Sequence, residues 1–403
     1  MREVDLLVAG AGPAGCAAAL AARRSAPGLR LLVVDAARFP RDKPCGGAIT
    51  GGGLRELDRC GLALRVPHVT VGHAVLRVDG RGLRVALPRP AAVVRRLEWD
   101  HDLLAQVRDG GVEVAEGAAM RSLAREGRAF LAGTAAGPVR CRALVCADGA
   151  AGPSRRLLGL PAGRRAPLRE RVARHGQGDL IFDLDAGPAG YAWRFPCLQA
   201  GAPAESVGIY SMESTPSLSA ALLHWMEREG LAPGRAGAGP AGPGAGGAAD
   251  AAVGNAAAGG TADTGGVAPW SLRLWEPGGA VGVPGALLAG EALGADPLAG
   301  EGIRYALWSG RLAGEVAART LARGKAPAPR SYRLRLGLSR SGMALALLAR
   351  LGHRLHGGDG RWRRLAADPA VAAALAALVS GAHPAGPIAR LLLRYRALGG
   401  APP

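Results

Sequence analysis

Residues 4–24, VDLLVAGAGPAGCAAALAARR, decide how this chain begins to fold. Residues 4–9 are mostly apolar, which is typical of a strand buried in a parallel sheet. Residues 10–15 form a glycine-rich turn, and the alanine-rich residues 16–24 predict a helix. A second apolar run, residues 29–35, predicts the next strand. The stretch therefore predicts a βαβ unit that opens a parallel sheet of the α/β class.

The turn has the spacing G-x-G-x-x-G at Gly10, Gly12 and Gly15, and Asp35 closes the second strand. Glycines let backbone N–H groups approach a pyrophosphate, and the start of a helix favours its negative charge. A carboxylate at the end of the second strand accepts a hydrogen bond from a ribose hydroxyl. This setting predicts a dinucleotide, FAD or NAD. The plain alternative is a tight turn that binds nothing.

Two later strand ends favour the longer of these ligands. Residues 144–149, LVCADG, predict a strand that ends at Asp148, and residues 287–291, LLAGE, predict one that ends at Glu291. Residues 297–303, PLAGEGI, then enter a helix. Acids on three strand ends and a second glycine-rich helix start indicate a long ligand stretched across one sheet.

These strings together resemble a known family. The GxGxxG, ADG and GEGI strings look like FAD-dependent oxidoreductases of the para-hydroxybenzoate hydroxylase type. The strings FPRDKPCGG at residues 39–47, RLEWD at 96–100, and YAWRFP at 191–196 with Val207-Gly208 narrow the resemblance to the geranylgeranyl reductase family. It implies a discontinuous Rossmann-type FAD-binding domain, an antiparallel β-sheet substrate domain and a C-terminal helical tail.

The resemblance also implies roles for individual residues. The pyrophosphate lies against Gly10, Gly12, Ala14 and Gly15, and Asp35 contacts the adenosine ribose. Arg96 contacts the phosphate or ribityl groups, and Met120 offers its backbone to the adenine end. The remaining cofactor-binding residues that it implies are Asp148, Glu291, Pro297, Gly300, Gly302 and Ile303. Glu291 stands where the family has Asp, and the gap to Pro297 is one residue shorter, so this string departs most from the pattern.

The resemblance gives Cys45 a place beside the flavin ring. Gly46 and Gly47 have no side chain to obstruct a flat ring. In an apolar pocket, Cys45 is expected to remain a neutral thiol and is the candidate catalytic proton donor. The alternatives are that it only shapes the slot or that it is a small packing residue.

Three aromatic residues, Tyr191, Trp193 and Phe195, alternate along a predicted strand and so share one face. We call them the aromatic wall, and with Gly46 and Gly47 they are the predicted substrate-binding residues. Pro196 is expected to end the strand. The plain alternative is that the three aromatics belong to an ordinary core.

Composition and charge set limits on partners. The chain has 403 residues and a net charge of +18, and residues 325–403 hold thirteen Lys or Arg against two Asp or Glu. Residues 340–356 are amphipathic, with Met343, Leu347, Leu348, Leu351 and Leu355 on one side. This helix either docks on its own domain or contacts anionic lipid. Nucleic acid is not expected, since no reading module occurs.

Other features point to a reducing cytoplasm. Six scattered cysteines form no C-x-x-C string, so neither a disulfide framework nor a metal site is expected. We expect no signal peptide and no spanning helix, because no apolar run reaches about twenty residues. The predicted location is cytoplasmic, or peripheral at the inner membrane surface.

The predicted domains interleave along the chain. Residues 1–66, 91–160 and 280–323 form the FAD-binding domain, residues 67–90 and 161–279 the substrate domain, and residues 324–403 a basic helical region. Ala, Gly and Pro fill 29 of the 37 positions from 232 to 268, which predicts a disordered low-complexity loop.

The predicted function is the reduction of C=C double bonds of an isoprenoid or prenyl lipid, with hydride from reduced FAD. NADPH or a small electron carrier reduces the flavin. The first alternative is a flavin-dependent monooxygenase or halogenase-like enzyme of the same fold. The second is a non-catalytic flavin-binding or interaction protein.

Overall fold

The computed structural model describes residues 1–173, 178–186, 190–212, 217–231, 267–355, 365, 367–382 and 385–397. Within these residues, two eight-stranded sheets lie against two groups of helices. The predicted loop at residues 232–268 lies outside the described residues except for Val267, which is buried, and Ala268, which begins a strand.

The first sheet is mainly parallel. Its main strands are β1 (Arg2–Ala9), β2 (Leu31–Val34), β6 (Glu113–Ala115), β9 (Gly137–Cys146), β15 (Gly282–Val283) and β16 (Ala286–Leu288). They lie in the order β15-β16-β9-β1-β2-β6, and only β15 pairs antiparallel on this path. Residues 6–9 pair in parallel on both sides, which explains why they are all apolar. The strands predicted at residues 4–9 and 29–35 are therefore confirmed.

Two strands of this sheet were not expected from the sequence. They are β7 (Met120–Glu126) and β8 (Ala129–Thr134), which form an antiparallel hairpin attached to β9. Five of the seven residues of β7 are exposed and only Met120 is buried, so the strand has a weak apolar pattern.

Helix α1 (Pro13–Ser25) follows the glycine-rich turn, and α6 (Ile303–Leu321) packs directly on it. Gly310 and Gly314 of α6 lie so close to α1 that a Cβ atom on either would overlap the carbonyl oxygen of Ala14 or Ala18. The remaining helices near this sheet are α2 (Gly51–Arg59), α3 (Arg96–Asp109) and α4 (Ser154–Leu157).

The second sheet is antiparallel except where β11 pairs β4. Its strands are β3 (Ala48–Ile49), β4 (Val69–Val78), β5 (Arg81–Val93), β10 (Arg165–Ala173), β11 (Leu180–Asp183), β12 (Gly190–Gln199), β13 (Ala202–Ser211) and β14 (Ala268–Arg273). The hairpin predicted around Asp79-Gly80 is confirmed, and both residues have positive φ, as a two-residue turn between twisted strands requires. Helix α5 (Leu218–Arg228) covers β10 and β13.

The expectation that Pro196 ends its strand is wrong, because β12 runs on to Gln199. Pro196 pairs with Glu205 of β13, whereas pairing with β11 stops at Arg194. One side of the strand is therefore unpaired at Pro196, where a residue without an N–H group is tolerated.

The C-terminal helices are α7 (Pro329–Leu338), α8 (Arg340–Leu355), α9 (Pro369–Val379) and α10 (Ala385–Ala397). In α8 the buried stripe is Ala344, Leu345, Leu348 and Ala349, whereas Met343 is exposed. The helix therefore docks on its own chain, although along a different stripe from the predicted one. The side chains of Leu351 and Leu355 lie outside the described residues. Among the helices that the structure describes, none combines the length and the apolar character needed to cross a membrane.

Candidate active site

A single cavity of about 1350 Å³ extends from the carboxyl ends of the parallel strands to the face of the antiparallel sheet. Nine Lys or Arg and six Asp or Glu line it, an excess of three positive charges. The positive excess suits a ligand that carries phosphate groups.

The glycine-rich turn forms one end of this cavity. Gly10 has a φ of +102°, and a Cβ atom there would lie 2.5 Å from the carbonyl carbon of Ala147. A Cβ atom on Gly12 would instead point into open space, with only the Arg41 guanidinium within 4 Å. No side chain caps the start of α1. Backbone N–H groups therefore face the cavity, as a pyrophosphate requires.

Gly15 and Pro297 do not line the cavity, in contrast to the other predicted cofactor-binding residues. A Cβ atom on Gly15 would lie 2.8 Å from the carbonyl carbon of Gly10. Gly15 thus lets the helix pack tightly under the turn. The Pro297 carbonyl accepts a hydrogen bond from Tyr210 at 3.4 Å, so this residue shapes a loop behind the cavity. Direct cofactor contact is not supported for either residue.

Two carboxylates at strand ends lie in the cavity wall. Asp35 accepts hydrogen bonds from the N–H groups of Ala11 (2.6 Å) and Ala37 (2.8 Å), which fixes the turn. One oxygen of Asp148 accepts the N–H of Ser154 at 2.8 Å, and the other, Oδ1, is buried without a hydrogen-bond partner in the described part of the chain. Burial raises the pKa of the Asp148 carboxyl. An unpartnered buried oxygen of this kind fits a ligand hydroxyl.

Arg96 lines the cavity and forms a buried two-pronged ion pair with Asp100, both N–O distances being 2.7 Å. Arg41 contacts the same carboxylate at 2.9 Å. Burial alone would raise the pKa of Asp100, but the two guanidinium groups outweigh burial and lower it. Asp100 therefore holds two cations at the cavity wall.

Lys43 forms an ion pair with Glu291, which also accepts a hydrogen bond from Trp270 Nε1 at 3.4 Å. The Lys43 ammonium lies 5.0 Å from the Trp270 ring centroid, within cation–π range. Burial opposes ionisation of Glu291, yet Lys43 lowers the pKa of its carboxyl below the usual value. The Glu that replaces the family's Asp thus has a partner from the KPCGG string.

Cys45, Gly46 and Gly47 all line the cavity. A Cβ atom on Gly46 would lie 2.7 Å from the Phe195 ring, and one on Gly47 would overlap the carbonyl oxygen of Val94. Cys45 is half-buried, and its sulfur accepts the N–H of Gly47 at 3.5 Å. The two glycines therefore leave room for neighbouring protein groups, a reason that the sequence did not indicate.

All three residues of the aromatic wall line the cavity, as predicted from their spacing. Successive rings lie 6.4 Å apart, and Phe182 and Tyr210 extend the surface. The Tyr191 hydroxyl donates to the carbonyl of Ala299 at 2.5 Å. A Cβ atom on Gly208 would lie 2.3 Å or less from the Trp193 ring, which explains the glycine there.

The loop before α6 brings two more acids into the cavity. Asp296 accepts N–H groups from Leu298 (2.9 Å) and Ala299 (3.0 Å), and burial raises its pKa to about 7. Glu301 accepts the Thr50 hydroxyl at 2.6 Å. Neither acid was predicted to have a role, although Glu301 lies within the GEGI string. Gly300, Gly302 and Ile303 line the cavity as predicted, and no side chain caps α6.

Two groups of lining residues were not predicted at all. Ala118 and Ala119 lie next to the predicted Met120. At the other end, C-terminal helices close the apolar half through Leu348, Ala372, Leu375, Ala376, Leu378 and Ser380. No local pattern marks these residues, because ordinary helix-core residues have the same spacing.

Known proteins with similar sequences show the family to which this cavity belongs. The FAD binding domain family matches residues 3–214, more than half of the chain. Menaquinone reductase of Mycolicibacterium smegmatis is 31% identical over 340 residues, which cover 78% of this chain and 76% of that protein. Digeranylgeranylglycerophospholipid reductase 1 of Methanopyrus kandleri is 28% identical over 339 residues, which cover 78% of this chain and 80% of that protein.

Two solved structures share the fold. A geranylgeranyl bacteriochlorophyll reductase-like protein of Thermoplasma acidophilum superposes with a TM-score of 0.71 at 18% identity, covering 98% of this chain and 96% of that one. A flavin-dependent brominase superposes with a TM-score of 0.71 at 16% identity, covering 99% of both chains.

Proposed function

The chain belongs to the FAD binding domain family of FAD-dependent oxidoreductases, and from this premise we propose that it reduces C=C double bonds of an isoprenoid lipid. The resemblance and the α/β fold class predicted from the motif strings are confirmed. The observation that carries the proposal is the single cavity, which joins the glycine-rich turn to an apolar half bounded by the aromatic wall.

The residues of the cavity fit FAD. Gly10, Gly12 and the open start of α1 face the pyrophosphate, and the partnerless oxygen of Asp148 suits a hydroxyl. When bound, FAD supplies the hydride, and we propose that NADPH or a small electron carrier returns the flavin to its reduced form. The chain's own part is to hold an apolar substrate against Cys45 and the aromatic wall and to keep water out.

The relatives support an isoprenoid substrate. The two reductases named above act, by their names, on menaquinone and on a digeranylgeranyl phospholipid. Leu76, Leu87, Leu168, Leu180, Leu184 and Leu272 line the half of the cavity near the aromatic wall. We retain the division into FAD-binding and substrate domains as a proposal.

The test is an anaerobic reduction assay. Purified protein is reduced with dithionite under nitrogen and mixed with a geranylgeranyl lipid, with menaquinone, or with a fully saturated prenyl lipid as control. We expect flavin reoxidation by unsaturated lipids only, and a product heavier by two hydrogens for each bond saturated. For menaquinone the extra hydrogens must survive air oxidation, because a reduced quinone ring loses its hydrogens again and a reduced tail does not.

A monooxygenase or halogenase-like activity is the second candidate, because the brominase shares the fold equally well. Flavin reoxidation that needs oxygen and an aromatic substrate, with no lipid reduction, would replace our proposal with this one. Protein purified without flavin that also fails to bind added FAD would favour the non-catalytic alternative.

A further inference from the structure

Reduction of a double bond needs a proton as well as a hydride, and the cavity offers a better acid than Cys45. Resting on the proposed function, we propose that Glu301 is held as a neutral carboxylic acid and gives its proton to the double bond. Cys45 then shapes the wall beside it. Nothing in the motif strings distinguishes Glu301 from the glycines around it.

The position of Glu301 supports this role. Its side chain lines the cavity and is only 8% exposed. One oxygen accepts the Thr50 hydroxyl, and that hydroxyl accepts in turn the N–H of Gly53, so the carboxyl is fixed. The other oxygen, Oε2, is buried and accepts no hydrogen bond among the described residues, and the Arg304 guanidinium lies 3.8 Å from it. A buried oxygen without a partner is stable when it carries a proton that a bound substrate can receive.

Burial favours the neutral form of Glu301 against the groups around it. Burial raises the pKa of the Glu301 carboxyl, and neither the Thr50 hydroxyl nor Arg304, 3.8 Å away, cancels this effect. Asp296 is a nearby acid whose own pKa is raised partly by Glu301, and Tyr305 also lies near these groups. Tyr191 lies within electrostatic range of Asp296, Cys45 and Glu301, which places the acid and the thiol on one part of the cavity.

Asp296 suits the proton-donor role less well. Both of its oxygens accept backbone N–H groups, so neither is free to face a substrate, although burial outweighs these contacts and raises its pKa to about 7. A thiol is by nature a weaker acid than a carboxylic acid, with a reference pKa about four units higher. An isolated double bond is a poor base, so the stronger acid transfers its proton more readily.

The step is balanced. The π bond takes the proton of Glu301, so a C–H bond forms as the O–H bond breaks. The more substituted carbon is left electron-deficient, and the second C–H bond would form there with the hydride that reduced FAD supplies when bound, which would leave the flavin oxidised. Glu301 remains as a carboxylate and recovers a proton from water after product leaves.

The first measurement does not need turnover. Infrared spectra of wild-type holoprotein and Glu301→Gln are subtracted at pH 7. We expect the carbonyl band of a neutral carboxylic acid in the difference, and a fall of that band as pH rises. Glu315→Gln is the matched control, because Glu315 lies on α6, the helix that follows Glu301, but forms ion pairs with Arg311 and Arg319 and should show no such band. A Glu301 spectrum that shows only carboxylate at pH 7 overturns the proposal.

The second measurement is the pH profile of lipid reduction. We expect wild-type activity to fall at high pH as Glu301 ionises. Glu301→Gln should lower kcat by about 100-fold or more and abolish this fall at high pH. Glu301→Asp should restore part of the activity and part of its pH dependence. If Glu301→Gln matches wild-type while Cys45→Ala loses the fall at high pH, the proton comes from Cys45. Wild-type protein that reduces no lipid would refute the proposed function itself, and this role of Glu301 with it.

Discussion

At the scale of single residues, the buried pair between Arg96 and Asp100 shows how the site depends on its supports. Neither side chain reaches solvent to any extent, and Asp100 also holds Arg41. Removing one partner of a buried ion pair leaves an uncompensated charge, which costs far more than losing a pair on the surface. The cavity wall is therefore sensitive to a residue that lies behind it.

We predict that Asp100→Asn lowers the free energy of unfolding by about 3–5 kcal/mol at pH 7. The pKa of Asp100 is lower in the folded state than in the unfolded state. Its contribution to the free energy of unfolding is therefore fully present above the unfolded-state pKa of about 3.9, and it is lost as pH falls through the folded-state pKa. The difference in free energy of unfolding between variant and wild-type, measured by urea denaturation, should therefore be smaller at about pH 3 than at pH 7.

Asp109→Asn is the matched control on the same helix, because the Arg65–Asp109 pair is largely exposed at 3.5 Å. It should cost no more than about 1 kcal/mol. Equal losses in the two variants would contradict the role given to the buried pair.

At the scale of elements, the crossing of α1 and α6 holds together both ends of the nucleotide half of the cavity. Gly310 and Gly314 let the two backbones approach to a distance that no side chain permits. Because both helices begin at the cavity, a shift at their crossing moves both open N-termini. The packing of two helices thus sets the geometry of the site.

The same substitution at two glycines should have opposite effects. Gly314→Ala places a Cβ atom against the Ala18 carbonyl, and overpacking of this kind costs about 1–3 kcal/mol. Gly337→Ala, on the exposed side of α7 with nothing within 4 Å, should be neutral or stabilise by up to about 1 kcal/mol. Thermal unfolding of both variants measures this, and a stabilising Gly314→Ala would contradict the close crossing.

Elements with a strong local pattern could be predicted, whereas those defined by distant partners could not. The strand before Gly10 and the Asp79-Gly80 hairpin follow from apolar runs and turn residues. The C-terminal wall at Leu375 and Leu378 depends on where a helix docks, which no local spacing records. Glu301 was missed for a related reason, since its importance comes from Thr50, which lies 251 residues away in the chain.

At the scale of the whole molecule, one stretch of the chain carries positive charge without any acidic residue. Residues 319–350 contain eight Lys or Arg and no Asp or Glu. On α7, Leu334 is 61% exposed and Leu338 is 73% exposed, one helical turn apart. We propose that this face rests on anionic membrane, because exposed leucines among cations match the boundary between headgroups and acyl chains.

We predict that the protein co-sediments with vesicles of anionic phospholipid more than with zwitterionic vesicles, and less as NaCl rises. Replacing both Leu334 and Leu338 by Ser should weaken binding by about 30-fold or more, since each leucine contributes about 1 kcal/mol or more on burial. Leu97→Ser, which alters a partly exposed leucine on α3, is the control. Equal binding to both kinds of vesicle would refute the proposed face.

The segment from Lys43 to Gly47 borders the nucleotide half of the cavity through Glu291 and the apolar half through Phe195. Occupants of the two halves therefore share one stretch of main chain. If a ligand in one half orders this segment, the affinity of the other half for its own ligand rises. Thermodynamic linkage then requires each ligand to raise the affinity for the other by the same factor. Saturating lipid should then slow dissociation of a bound nucleotide, because both ligands contact the segment from Lys43 to Gly47.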